Sequence, residues 1–119
     1  MYKRGDKEFI LDMLFACKRI KDYTSGLSFE EFEKDIKTVD AVIRNVEILG
    51  EATKNISKSF TEKYKDIEWS YIAKTRDKLI HSYFGVDLEI LWEIIYHNIP
   101  ALTEKLYDII KKEEWENDL

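Results

Sequence analysis

The 119 residues include 19 Lys and Arg against 24 Asp and Glu, so the formal net charge at pH 7 is −5. This acidic balance excludes a protein that coats nucleic acid by general electrostatic attraction, because such proteins are basic. Hydrophobic residues make up 45%, while there are only four glycines and one proline. This composition favours long helices over sheets, and we predict one helical domain over residues 1–119, with about 112–119 as a polar tail.

Targeting signals are absent from the sequence. No apolar run approaches the roughly 20 residues that a membrane span needs, and no apolar core of a signal peptide follows the charged first ten residues. The single cysteine, Cys17, lies on an apolar helical stripe, so we expect a reduced thiol in the core. We therefore predict a cytoplasmic protein that does not contact a membrane.

The first third of the chain predicts two helices. Apolar residues recur at helical spacing over residues 7–24, and Gly26 then ends this helix. The sequence SFEE is a capping box, in which the Ser28 hydroxyl accepts from the Glu31 amide while Glu31 reaches back. It begins a short second helix that extends to about Asp35.

A long third helix is expected next, beginning at Thr38 or Asp40 and extending to about Ser59. Gly50 and Ala52 are small, so another helix is expected to approach closely there. Three polar residues lie off its apolar stripe, and either a solvated face or a role in an interface or cleft is compatible with them: Arg44, Asn45 and Glu51.

The second half of the chain predicts a connection over residues 60–68 and then one helix from Trp69 to Gly85. Asp87 is a suitable N-cap for the last helix. The apolar period from Leu88 to Ile109 continues through Pro100, which predicts one long helix kinked at the proline.

Two helices meeting at Asn98 are the alternative to this kinked helix. The last residues are expected to fray, and Trp115 either docks on the body or lies on the surface. The predicted fold is thus all-α: an up-and-down bundle of four main helices plus a short extra helix.

Arg76, Asp77, His81 and Tyr83 form the pattern R-D-x-x-x-H-x-Y near the end of the Trp69 helix. A histidine can act as base and acid on RNA, and an arginine can stabilise charge on the phosphorane. Asp77 and His81 share a helical face, whereas Arg76 and His81 diverge by about 140°. Two copies of the Arg76–His81 pair, brought together across a dimer axis, would suit this chemistry better than one pair. A plain polar face remains the alternative.

Cations concentrate around this stretch. Between Lys54 and Lys78 there are seven Lys and Arg against four acids, so a local basic face is possible on an acidic protein. We expect four lysines there to contact RNA: Lys54, Lys58, Lys74 and Lys78. His97 is isolated and no metal-ligand spacing occurs, so we predict no metal and no cofactor, and a satisfied or exposed His97.

The sequence RDKLIHSYFGVD resembles the R-x4-H-x-Y signature of the HepT-like toxins, a branch of the HEPN superfamily. The resemblance extends in order over about residues 6–112 and includes YTSGLSFEEFEKD, TVDAVIRNVEILGEATKNIS and VDLEILWEII. The chain departs from that pattern at Glu68, where a proline is expected.

The resemblance implies a dimeric helical bundle and a metal-independent endoribonuclease, the toxin of a toxin–antitoxin pair. Arg76 and His81 would be the catalytic pair, with Asp77 as a supporting residue. Tyr83 would be the tyrosine to which an antitoxin, a minimal nucleotidyltransferase of the MntA type, adds AMP. The alternative is a non-catalytic helical subunit that docks a nucleotidyltransferase.

Overall fold

The computed structural model describes residues 4–80 and 85–119, with the backbone alone for Arg76 and Ile80. These residues form an all-α fold, as predicted. The elements are α1 (Asp6–Thr24), α2 (Phe29–Lys34), α3 (Ile36–Lys54), α4 (Lys58–Lys63), α5 (Trp69–Ala73), α6 (Thr75–Ile80), α7 (Leu88–Glu93), a π turn (Ile94–Asn98), α8 (Ile99–Lys112) and a 3₁₀ turn (Glu116–Asp118). In the described ranges, every helix is too short or too polar to cross a membrane.

The core lies between α1, α3 and α8. Helix α1 packs along α3 over most of its length and also contacts α8. The four main helical stretches are α1, α3, α5 with α6, and α7 through α8, while α2 and α4 are short. Fully buried apolar side chains from these elements fill the centre: Ile10, Leu14, Ile20, Phe32, Val42, Leu91 and Leu106. Cys17 is buried among them, and burial raises the pKa of its thiol to about 12, which fits the predicted core thiol.

The predicted capping box at Ser28, the turn at Gly26 and the cap at Asp87 are confirmed. Ser28 Oγ accepts from the Glu31 amide at 3.1 Å, and Glu31 Oε1 accepts from the Ser28 amide at 3.0 Å. The backbone and side-chain hydrogen bonds with Ser28 lower the pKa of Glu31. Gly26 has a φ of +79°, a conformation that glycine adopts without strain. Asp87 caps α7 by accepting from the Glu89 and Ile90 amides.

Helix α3 begins and ends earlier than predicted. Asp35 is its N-cap and accepts from the Thr38 amide and hydroxyl at 3.2 and 2.7 Å. The helix ends at Lys54 rather than near Ser59. The predicted connection over residues 60–68 was also wrong in part, because α4 occupies residues 58–63.

Ser57 is the physical reason for that early end. Its hydroxyl caps α4 by accepting from the Phe60 amide at 3.3 Å. Its own amide and hydroxyl donate to the Asp6 carboxylate at 2.8 and 2.6 Å. This contact ties the start of α1 to the turn after α3, and it stops α3 before residue 57.

Helices α3 and α5 approach closely at Gly50, as its size predicts. A methyl group placed on Gly50 would lie 3.5 Å from the carbonyl oxygens of both Ile72 and Ala73. The end of α5 therefore rests directly on the α3 backbone.

The last helical stretch is continuous from Leu88 to Lys112 and is locally widened before Pro100. Proline has no amide to donate to the Tyr96 carbonyl, as predicted. The chain accommodates this with the π turn, in which the Ile99 amide donates to the Ile94 carbonyl. The alternative of two separate helices meeting at Asn98 is not what the chain adopts.

The expectation that the C-terminal residues fray was wrong. Trp115 docks on the body: its ring stacks on the Phe60 ring, with centroids 5.8 Å apart. The 3₁₀ turn follows it, and Asp118 forms an ion pair with Lys7 at 2.7 Å.

Candidate functional site

The polar motif lies beside a break between two short helices. The single helix predicted from Trp69 to Gly85 was wrong, since α5 ends at Ala73 and α6 begins at Thr75. The Thr75 hydroxyl donates to the Tyr71 carbonyl at 2.9 Å. In a regular helix that carbonyl would accept from the Thr75 amide, so the buried threonine side chain competes for the acceptor and helps to interrupt the helix.

Arg76 is the second residue of α6, directly after this break. Its side chain, together with all of His81 and Tyr83, lies outside the described residues. Asp77 is described and exposed on α6. The pairing of Arg76 with His81, the contact between Asp77 and His81, and the role of Tyr83 therefore stay predictions.

The predicted RNA-contacting lysines are exposed, and two of them lie one above the other, Lys74 at the break and Lys78 in α6. The Lys78 amide donates to the Lys74 carbonyl at 3.1 Å, so these two residues are one helical turn apart. The Lys78 ammonium lies 5.1 Å from the centre of the Tyr71 ring. That contact is within the range of a cation–π interaction and holds the cation beside an aromatic surface.

Lys54 and Lys58 lie at the end of α3 and the start of α4. Lys54 follows Gly50 by one turn, and Lys74 directly follows Ala73, whose carbonyl rests on Gly50. Lys54 also lines an open groove between α1 and α3, beside Asn55. Lys58 is exposed on the neighbouring helix.

The three polar residues of α3 separate into two groups. Arg44 and Glu51 are exposed and line an open groove against α1, together with Arg4 and Asp12. Asn45 is only 5% exposed, and its side-chain amide donates to the Ala41 carbonyl at 2.9 Å. Its Oδ1 has no hydrogen-bond partner among the described residues.

A cavity of about 260 Å³ lies against the α5–α6 break, between α3, α5, the π turn and α8. Its floor is apolar and consists of Val46, Leu49, Ile72 and Ile94. Polar side chains at its edge come from three separate segments, namely the start of α5, the π turn and α8: Glu68, Tyr71, His97 and Lys105. Sequence periodicity missed this cavity, since its residues are spread over almost 60 positions.

His97 lies at the rim of this cavity and is mostly exposed. Its Nε2 lies 3.4 Å from Glu93 Oε2 on the preceding turn, which agrees with the expected satisfied or exposed histidine. Across the described ranges, no group of three or more His, Cys, Asp or Glu is arranged to hold a metal ion.

Comparison with known proteins identifies the family of the chain. The model of the HepT-like ribonucleases matches residues 13–109. The chain belongs to the HepT-like ribonuclease family. The resemblance seen in the sequence is thereby confirmed, and the matched range contains the whole R-D-x-x-x-H-x-Y stretch.

Two similar relatives have names that describe them as ribonucleases. A protein of Thermococcus cleftensis named "Probable ribonuclease HepT" is 43% identical over 109 residues, which is 92% of this chain and 99% of the relative. A candidate RNase of Methanocaldococcus jannaschii is 42% identical over 118 residues, 99% of this chain and 98% of the relative. No solved structure shows a significant match.

Proposed function

We propose that this protein is a metal-independent endoribonuclease in which Arg76 and His81 act on the RNA phosphate. The match to the HepT-like ribonucleases, which includes both residues, is the observation that supports this most directly. His81 would take the proton of the 2′-hydroxyl and protonate the leaving 5′-oxygen. Arg76 would stabilise the negative charge on the phosphorane with its two-pronged guanidinium.

The described surface next to Arg76 suits an RNA backbone. Lys74 and Lys78 are exposed on the turn of helix that contains Arg76. Lys54, at the end of α3, is exposed as well. Exposed lysines bind phosphates mainly through charge, so they would hold the RNA while Arg76 and His81 act.

The proposed enzyme is a homodimer. His81 follows Arg76 by five positions, which on a regular helix would turn their side chains about 140° apart. A second copy across a two-fold axis would bring two such pairs to one cleft. A phosphate in that cleft could then contact the arginine of one subunit and the histidine of the other.

We further propose that the protein is the toxin of a toxin–antitoxin pair and that Tyr83 is its switch. A nucleotidyltransferase antitoxin of the MntA type would add AMP to the Tyr83 hydroxyl. Tyr83 follows His81 by two residues, so the added phosphate would put negative charge and bulk at a site meant for RNA phosphates.

RNA cleavage in EDTA tests the enzyme proposal. We expect the purified full chain to cut single-stranded RNA, and His81→Ala and Arg76→Ala each to lower the rate by at least about 100-fold, the usual contribution of a positioned proton donor or charge. Arg19→Ala is the matched control, because Arg19 is exposed on α1. Unchanged cleavage by His81→Ala would rule out the catalytic assignment.

Mass spectrometry tests the switch. After co-expression with a nucleotidyltransferase encoded beside it, the chain should gain AMP-sized mass on the peptide that contains Tyr83. Tyr83→Phe should gain none, whereas the control Tyr107→Phe, on the exposed face of α8, should be modified like wild type. Modification placed elsewhere would disprove the role of Tyr83.

The net charge of −5 favours a second candidate function, a non-catalytic subunit that docks a nucleotidyltransferase. An acidic protein attracts RNA weakly over long distances. This candidate predicts a stable complex with the nucleotidyltransferase and no RNA cleavage by the free protein. Cleavage that depends on His81 would exclude it.

A further inference from the structure

The cavity beside the α5–α6 break has the size of a binding site for one small group. Its volume of about 260 Å³ is below the roughly 300–1,000 Å³ typical of pockets for drug-sized ligands. The floor is apolar, and the half-buried Tyr71 ring lies at its side. A small apolar cavity with an aromatic side chain at its wall can hold a single nucleobase. It is less suited to a ligand made mainly of polar groups.

The cavity is close to the proposed reaction site. Thr75 lines it and is directly followed by Arg76 in α6. The Lys78 ammonium lies over the Tyr71 ring at 5.1 Å from its centre. A base held against Tyr71 would therefore have a cation beside its own phosphate, and the next phosphate would be near Arg76.

The rim of the cavity has both a hydrogen-bond donor and a hydrogen-bond acceptor. The Lys105 ammonium donates to the Asp66 carbonyl at 2.7 Å, and its other protons remain for a ligand. Glu68 is exposed at the start of α5, where its side chain does not cap the helix. Its carboxylate makes no hydrogen bond or ion pair with any other described residue and is a ready acceptor for an exocyclic amine.

The π turn is a second, independent sign of function at this place. It puts His97 and Asn98 on the cavity rim. Such turns are rare and often occur at functional sites.

We propose that this cavity binds one base of the RNA substrate, with Tyr71 against the base, Lys78 against its phosphate and Glu68 accepting from an exocyclic amine. The proposal rests on the proposed ribonuclease function and adds a substrate preference to it. Bases with an exocyclic amine, such as cytosine and adenine, bind better than uracil.

Binding of mononucleotides tests the subsite without any cleavage step. CMP is titrated into the full-length protein and followed by calorimetry and by NMR, with UMP as the comparison. We expect CMP to bind roughly 10- to 150-fold more tightly than UMP, the effect of one hydrogen bond to a charged acceptor. Glu68→Ala should remove that difference. Equal binding of both nucleotides by wild type would overturn the role of Glu68.

Variants of the cavity wall test its location. Tyr71→Ala should weaken CMP binding roughly 5- to 150-fold, the range for loss of one stacked base, while Tyr71→Phe should bind as wild type. Ala101→Trp adds an indole to an exposed residue of the cavity lining and should block binding. Tyr107→Trp adds the same group to α8 away from the cavity and should not.

The outcomes separate this proposal from the ribonuclease proposal. CMP binding that Ala101→Trp abolishes, in a protein that cuts no RNA, would uphold the subsite and reject the enzyme. RNA cleavage that requires His81, with CMP binding absent or unchanged in folded Ala101→Trp, would reject the subsite alone. Circular dichroism of each variant establishes that it is folded.

Discussion

Trp115 stacks on Phe60, with ring centroids 5.8 Å apart and an angle of 9° between the ring planes. Phe60 in turn contacts the rings of Tyr64 at 5.0 Å and Trp69 at 6.5 Å. The Trp115 amide also donates to the Ile110 carbonyl at 2.9 Å. The end of the chain therefore completes an aromatic cluster between α4, the start of α5 and the end of α8, and it is part of the folded body.

Loss of this ring should destabilise the protein. We expect Trp115→Ala to lower the free energy of unfolding by about 2 kcal/mol, less than for a tryptophan in a core because Trp115 is only half-buried. Urea unfolding measures the change. Leu119→Ala is the control, since Leu119 is 53% exposed. Equal stability of the two variants would show that the stacked ring contributes nothing.

Glu113 at the end of α8 should make stability depend on pH. Lys63 donates to its carboxylate at 2.6 Å, and the Tyr64 hydroxyl donates to the same oxygen. These bonds, first with Lys63 and then with Tyr64, lower the pKa of Glu113. A carboxyl whose pKa is lowered by folding stabilises the protein above its unfolded pKa of about 4.3, and this stability is lost as the pH falls through the folded pKa.

We expect Glu113→Gln to lower the free energy of unfolding by about 1 kcal/mol at pH 7. The difference from wild type should shrink as the pH falls from about 5 to 3, where both proteins lack the charge. Urea unfolding at several pH values gives the curve. Glu116→Gln, on the exposed 3₁₀ turn, is the control. A difference that grew toward low pH would contradict the assigned shift.

Gly50 should tolerate one methyl group and nothing larger. A methyl there would lie 3.5 Å from the carbonyls of Ile72 and Ala73, which is ordinary contact. Gly50→Ala should therefore raise the free energy of unfolding by up to about 1 kcal/mol through better helix propensity. Gly50→Leu should lower it by about 1–3 kcal/mol by pushing α5 away. Thermal unfolding of both variants would reveal the opposite signs.

Lys74 and Lys78 should account for part of the salt dependence of RNA binding. Each lysine that neutralises a phosphate contributes about 0.7 to the slope of log K against log salt for a single strand. We expect Lys74→Ala and Lys78→Ala each to reduce the slope by about that amount. Lys37→Ala, exposed on α3, should leave it unchanged. Fluorescence anisotropy with labelled RNA, on the non-cleaving His81→Ala protein, measures the slopes.

The sequence predicted the helix ends correctly where they depend on residues close together in the chain. The capping box at Ser28 and the turn at Gly26 each depend on residues within a few positions. The end of α3 was misjudged because Ser57 is held by Asp6, 51 residues away. The break at Lys74 was missed because the apolar spacing of Ile72 and Leu79 is the same in one helix as in two.

The family of the chain was predictable from the sequence, whereas the cavity was not. The motif residues Arg76, His81 and Tyr83 and the family followed from the order of residues alone. The cavity did not, because it forms where Val46, Tyr71 and His97 of separate helices meet. The period of apolar residues predicts which face of a helix is buried. It does not predict the width of the gap between the side chains of two packed helices.

The π turn at Ile94–Asn98 also has a consequence for how this chain tolerates insertions and deletions. It holds one residue more than an α-helix would need between α7 and α8. Deleting a single residue there would restore a regular helix while α7 and α8 keep nearly their present faces, because the π turn takes up the extra residue locally. Leu91 would then stay in the core, and the change would be confined to the cavity rim at His97 and Asn98. A chain shortened by one residue at this place should therefore still fold, with an altered cavity.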